Sequence, residues 1–150
     1  MKTVFLKSGQ RFFAVVTLLT VVPATSAQDV CKPKNVDVCE IARQITDEIS
    51  ATLPMQLNRN LSIHTAFASL ATINLTAKLN YSRAHLEKTL TSTGTDNGKM
   101  LDTLYQSAKN AVCTHSSKPE HFINHGGNVY YIYKFSDGTT YTTIKVDSCD

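Results

Sequence analysis

The chain has 150 residues, 42% of them apolar, and carries 15 Lys and Arg against 12 Asp and Glu for a formal net charge of +3. Three of the basic residues, Lys2, Lys7 and Arg11, and none of the acidic ones fall in residues 1–27, which leaves 12 of each sign in residues 28–150. Such a balance provides no basic stripe for nucleic acid or for an anionic membrane surface, and it excludes both as the main partner.

In chain order, the positive lead-in is followed by the apolar and Thr run Phe12 to Val22, then by Pro23 and the small residues Thr25-Ser26-Ala27. That is the layout of a secretory signal peptide with its cleavage site. A run of 11 residues is too short for a bilayer core that needs about 20. Residues 1–27 are therefore expected to be a cleaved signal, and residues 28–150 a single α+β domain that is periplasmic or secreted. No membrane insertion of the mature chain is expected. Asp29 and Val30 precede Cys31, so there is no lipobox and no lipid is expected on Cys31.

Residues 28–35 are polar and read as an N-terminal arm. Asp37 and Glu40 form a capping pair for a helix beginning near Val38. Ile41, Ala42, Ile45, Ile49 and Leu53 recur at helical spacing until Pro54, an amphipathic pattern that faces a core. The period then changes to two. Leu57, Leu61, Ile63 and Phe67 predict one half-buried strand, and Ile73, Leu75, Ala77, Leu79 and Tyr81 a second, with a turn near Ala68 to Leu70. Ser82 caps a short helix through Leu86 and Leu90 that Gly94 stops. After a loop over Thr95 to Gly98, a longer helix is expected from about Lys99 to Thr114, with Leu101, Leu104, Tyr105, Ala108 and Val112 on one face. Residues 115–128 read as a connecting loop. Val129 to Phe135 and Thr139 to Val146 flank Ser136-Asp137-Gly138 as a hairpin. The order α-β-β-α-α-β-β predicts an α+β fold, an antiparallel sheet of about four strands packed by three helices.

Cys31, Cys39, Cys113 and Cys149 all follow the expected cleavage site. An even number in an exported small domain reads as two disulfides. Three connectivities are open. The preferred one joins Cys31 to Cys39, a short loop ahead of a helix, and Cys113 to Cys149, tying the chain end to the core.

The chemistry-bearing residues form few patterns. Cys113, His115, His121 and His125 lie close together, but Cys113 is wanted for a disulfide and the stretch lacks a second shell, so neither metal nor cofactor is expected. His64 and His85 stand alone. Nucleophile elbow, phosphate loop and spare cysteine are all missing, and no acid pair is placed for catalysis. Asn60, Asn74 and Asn80 begin glycosylation triplets, which matter only in a eukaryotic secretory pathway. Four of the six tyrosines, Tyr130, Tyr131, Tyr133 and Tyr141, fall on the last hairpin. Bulky residues occupy both faces of one strand there, so one set packs on helices and the other is a candidate partner surface.

From Ile41 to Cys149 the order of elements resembles the α+β pilotins of bacterial type II secretion: a helix, two strands and a helical region ending in Cys113. Ile123-Asn-His-Gly126, an alternating strand, Asp137-Gly138, a second strand and Val146-Asp147-x-Cys149 follow. The resemblance implies a Cys113–Cys149 disulfide and a fold that binds a secretin segment. Pilotins are lipoproteins, and without a lipobox only the binding fold carries over, not lipid-directed transport. The expected function is a non-catalytic, exported module that binds another protein, such as a secretion-system component. An inhibitor or immunity protein, and a small extracytoplasmic hydrolase, are the alternatives.

Overall fold

The computed structural model describes residues 30–150; the expected signal segment and its cleavage site lie outside them. Helix α1 spans Val38–Ser50, and its N-cap Asp37 accepts from the Glu40 amide at 3.0 Å. The Glu40 carboxylate is drawn away from the capping box by Arg43 and Gln44, whose hydrogen bonds, with the Arg43 charge, lower its pKa. Val38, Cys39, Ala42, Ile45 and Thr46 form its buried stripe. Thr46 is accommodated there because its hydroxyl donates to the Ala42 carbonyl at 3.0 Å.

Strands β1 (Met55–Asn58), β2 (Leu61–Ser69) and β3 (Thr72–Leu79) follow. Helices α2 (Arg83–Thr93), α3 (Asn97–Val112) and α4 (Lys118–Asn124) come next, then strands β4 (Asn128–Lys134) and β5 (Thr140–Val146). Ser82 caps α2, and Gly94 ends it at φ +64°, where glycine carries no Cβ penalty. Asp96 caps α3 through the Lys99 amide at 2.9 Å.

The sheet has five strands in the order β1-β2-β3-β4-β5, not four, and it is mixed. The β3–β4 pair is parallel and the others antiparallel. The three helices between β3 and β4 make the crossover that a parallel neighbour requires. The element order is therefore α-β-β-β-α-α-α-β-β, and two corrections account for the difference. The expected strand over Leu57 to Phe67 is two strands, folded back at Arg59-Asn60, where the Asn58 side chain accepts from the Asn60 amide at 2.8 Å. The expected loop over residues 115–128 contains α4, so the segment from Val38 onward has four helices rather than three. Ser117 caps α4 through the Glu120 amide, Pro119 sits in its first turn, and Phe122 and Ile123 are buried.

A third correction concerns facing. In β2, Ile63 pairs with Ala77 but Thr65 pairs with Thr76, so His64 is an extra residue. The bulge moves every later side chain to the other face. Ala66 and Ala68 pack on the core in place of Phe67, which is 52% exposed. Leu57 is likewise exposed.

The helices α1, α3 and α4 lie on one side of the sheet: α1 packs on β2 and β3, α4 on α1 and β4, α3 on β5. Ile73, Leu75, Ala77, Val129, Tyr131, Tyr133, Ile144 and Val146 project into that layer. A smaller cluster around Phe135, Leu79 and Leu86 closes it near α2. At Gly127 an added Cβ would lie 2.3 Å from the Phe122 ring, so only glycine lets β4 begin beside α4. The opposite face carries Asn74, Thr76, Lys78, Tyr130, Ile132, Lys134 and Lys145, none of them buried.

Cys31 is bonded to Cys39 and Cys113 to Cys149, with Cα atoms 5.1 and 5.4 Å apart, and no cysteine among the described residues is free. The second bond closes a 36-residue separation between the end of α3 and the segment after β5. No helix among the described residues is long and apolar enough to cross a membrane.

Candidate functional site

The helix layer does not cover its face of the sheet completely. Between α3 and the β1 edge lies an apolar groove, one cavity of which has a volume of about 180 Å³. Its floor is Ile63, Leu75, Tyr131 and Tyr133, one wall is Met55 and Leu57 of β1 with Ile49 of α1, and the other is Ser107, Ala108 and Ala111 of α3. A second cavity, sharing Leu57, Leu61 and Ser107, continues along α3 past Leu104 and Thr103 to Met100. From Met100 to Ala111 the α3 wall is about 16 Å long at the rise of an α-helix.

Each wall is shaped by its sequence. On α3 the buried stripe is Leu104, Ala108 and Val112. Beside it Ser107 and Ala111, one turn apart, are exposed. These small side chains leave the α3 backbone approachable by another element. On β1 the short edge strand has no charged residue to cover it, and Leu57 is 49% exposed at the rim. An exposed leucine beside an apolar cavity is a surface that a partner can bury.

The floor contains two polar groups. The Tyr131 and Tyr133 rings stack with centroids 6.2 Å apart and planes 21° from parallel. Burial pushes both phenols up to about 12, with the Tyr133 charge adding to the shift at Tyr131. Both hydroxyls are therefore neutral donors at any physiological pH. Among the described residues neither has a hydrogen-bond partner, yet neither is sealed from solvent. Both residues line the groove.

The four tyrosines on the hairpin thus do not form one surface. Tyr131 and Tyr133 are 7% and 2% exposed in the floor of the groove. Tyr130 is half-buried on the opposite face of the sheet, paired across strands with Lys145. Tyr141 turns towards the helices, packs on Phe135 with centroids 5.2 Å apart, and donates to Asn97 Oδ1 at 2.6 Å. Sequence reasoning missed Ser107, Ala111 and the β1 edge. The recurrence of small residues beside the α3 stripe was the available signal.

The histidines serve elsewhere. The rings of His121 on α4 and of His125 at its C-cap have centroids 4.0 Å apart. Cys113, close to them in sequence, is bonded to Cys149, and among the described residues no three His, Cys, Asp or Glu side chains are placed to hold a metal ion. His85 packs against Tyr81. His64 Nε2 meets the Ser62 hydroxyl at 3.0 Å on the exposed face.

No family model matches the chain, and no curated protein matches it. Three solved structures share its fold. A Pseudomonas aeruginosa protein described as secreted superposes with a TM-score of 0.57 at 13% identity, over 75% of this chain and 93% of its own. The pilotin EpsS of the Vibrio vulnificus type 2 secretion system gives 0.56 at 15% identity, over 75% and 92%. The type II secretion pilotin AspS of Vibrio cholerae gives 0.55 at 16% identity, over 83% and 97%. The resemblance to pilotins therefore holds in three dimensions, and at these identities it is a likeness of fold.

Proposed function

We propose that the chain is an exported, non-catalytic protein-binding module of pilotin-like fold, and that it captures an amphipathic helical segment of a protein partner in the groove along α3. The observation that carries this reading is the groove itself, lined mostly by apolar side chains and bounded by Ser107 and Ala111 on an exposed side of α3. Its length of about 16 Å suits roughly three turns of helix. Apolar side chains of such a segment would enter between Leu57 and Ala108, while the Tyr131 and Tyr133 hydroxyls would take up a polar group. A β-strand laid along β1 would leave the α3 wall unused, and the helical occupant is favoured for that reason.

Residues 1–27 act as a signal peptide, residues 28–150 form one domain, and the mature protein works in the periplasm or outside the cell. The fold shared with two secretion pilotins and a protein described as secreted supports that address. A secretion-system component is the partner that this likeness favours. Lipid attachment does not fit Cys31, because its sulfur is bonded to Cys39.

The test is a photo-reactive side chain placed at Ser107 of the exported protein, with the same group at Thr143 on the other face as control. The expected result is an adduct from Ser107 alone, whose mapped partner peptide has apolar residues at helical spacing. Adducts formed equally from both positions, or only from Thr143, would reject the groove.

A further inference from the structure

On the sheet face turned away from the helices, Lys78 of β3 and Lys134 of β4 stand opposite one another in the parallel register. Neighbouring strands are about 4.8 Å apart, and like charges placed so on one face destabilise the sheet. The ion pairs among the described residues are Lys32–Asp37, Arg43–Glu40, Lys118–Glu48 and Lys145–Asp147, so neither Lys78 nor Lys134 has a carboxylate partner there. Both lysines line a cavity of about 330 Å³ that also receives His64, Thr76 and Ser136. His64 reaches it as the extra residue of the β2 bulge; bulges re-aim side chains in this way. Asp137 stands at the rim, but its carboxylate is turned into the hairpin loop, where it accepts from the Thr139 amide and hydroxyl at 2.9 and 2.7 Å.

We propose that this cavity is an anion site for a phosphate-bearing group, separate from the groove along α3 and independent of the function proposed for it. A phosphate monoester carries close to two negative charges and several acceptor oxygens. It matches two lysine ammonium groups, which act as point charges, with the Thr76 and Ser136 hydroxyls as further donors. A single carboxylate would leave one lysine uncompensated. The group is supplied either by a soluble phosphate ester or by a lipid headgroup, and the binding chemistry is the same.

The test titrates the exported protein with inorganic phosphate at constant ionic strength, read by amide chemical shifts. Saturable shifts confined to Thr76, Lys78, Lys134, Ser136 and their neighbours are expected. Lys78→Gln and Lys134→Gln should each weaken binding several-fold, and in phosphate-free buffer each should unfold at the parent's temperature or above it, because a repulsion has been removed. Co-sedimentation with phosphatidylcholine vesicles, with and without phosphatidic acid, separates the two sources. Binding to phosphatidic acid vesicles that either variant loses assigns a headgroup; a response to phosphate alone assigns a soluble ester. The proposal is overturned by the absence of both responses, or by variants that bind as the parent does.

Discussion

Tyr131 and Tyr133 stack with centroids 6.2 Å apart in the floor of the groove, while Tyr130, the residue before Tyr131, points out of the other face of the same strand. Replacing one of the floor rings removes both packing and part of the groove's floor. Tyr133→Ala should destabilise the fold by about 3–5 kcal/mol, as aromatic truncation in a core does. Tyr130→Ala should stay within about 1 kcal/mol of the parent. Urea unfolding of the two variants checks this.

The same pair sets a high-pH limit. Both phenols titrate near 12 in the folded state, raised chiefly by burial, against 10.0 when unperturbed. A group whose folded pKa is raised holds its proton longer in the folded state, so its contribution is complete below pH 10 and is lost as pH climbs towards 12. Stability should be insensitive to these tyrosines through neutral pH and fall above pH 10. Tyr133→Phe should make that fall shallower, and ultraviolet titration should show late-ionising phenols that unfolding in urea abolishes.

The bulge at His64 makes a prediction opposite to that of simple alternation. Phe67→Ser should change stability by no more than about 0.5 kcal/mol, as at an ordinary surface site. If Phe67 faced the core, truncation would cost about 3–5 kcal/mol. Thermal unfolding separates the two.

Much of the fold was legible because it is written locally. Asp37, Ser82 and Gly94 mark helix ends by hydrogen-bonding and φ preferences that need no distant partner, and Gly138 marks the last hairpin in the same way, with φ +87°. What escaped depends on distant pairing or on very short elements. The β1–β2 turn is made by Arg59 and Asn60 without glycine or proline. The bulge is visible only once β2 is set against β3. Helix α4 is too short to show a period, although Ser117 and Glu120 form the same spacing that marked α1. The parallel β3–β4 pair follows from how the helices pack, which no local pattern states. The groove was hidden for a related reason. Val129 to Phe135 is bulky on both faces, so the sequence offered no means of choosing the tyrosines that face α3.

The two disulfides should differ in weight. Loss of the bond across the 36-residue separation, by Cys113→Ser with Cys149→Ser, should lower stability by roughly 3–4 kcal/mol. Loss of Cys31–Cys39, with its separation of 8, should cost roughly 2–3 kcal/mol. Denaturant unfolding of the paired-serine variants measures both, and thiol titration of the unfolded parent should find no free thiol.

A helix bound against α3 is the central feature of the proposed complex. The direct measurement is calorimetric titration of the partner segment captured from Ser107, as a synthetic peptide, into the parent, Ala111→Trp and Tyr130→Ala proteins, with circular dichroism of each mixture. An indole at position 111 fills the groove from an exposed position, so the fold is retained and the site is blocked. The prediction is a gain of helical signal on binding, an affinity loss of at least about tenfold, or 1.4 kcal/mol, for Ala111→Trp, and none for Tyr130→Ala. Undiminished affinity in Ala111→Trp, or loss of binding in Tyr130→Ala, would contradict it.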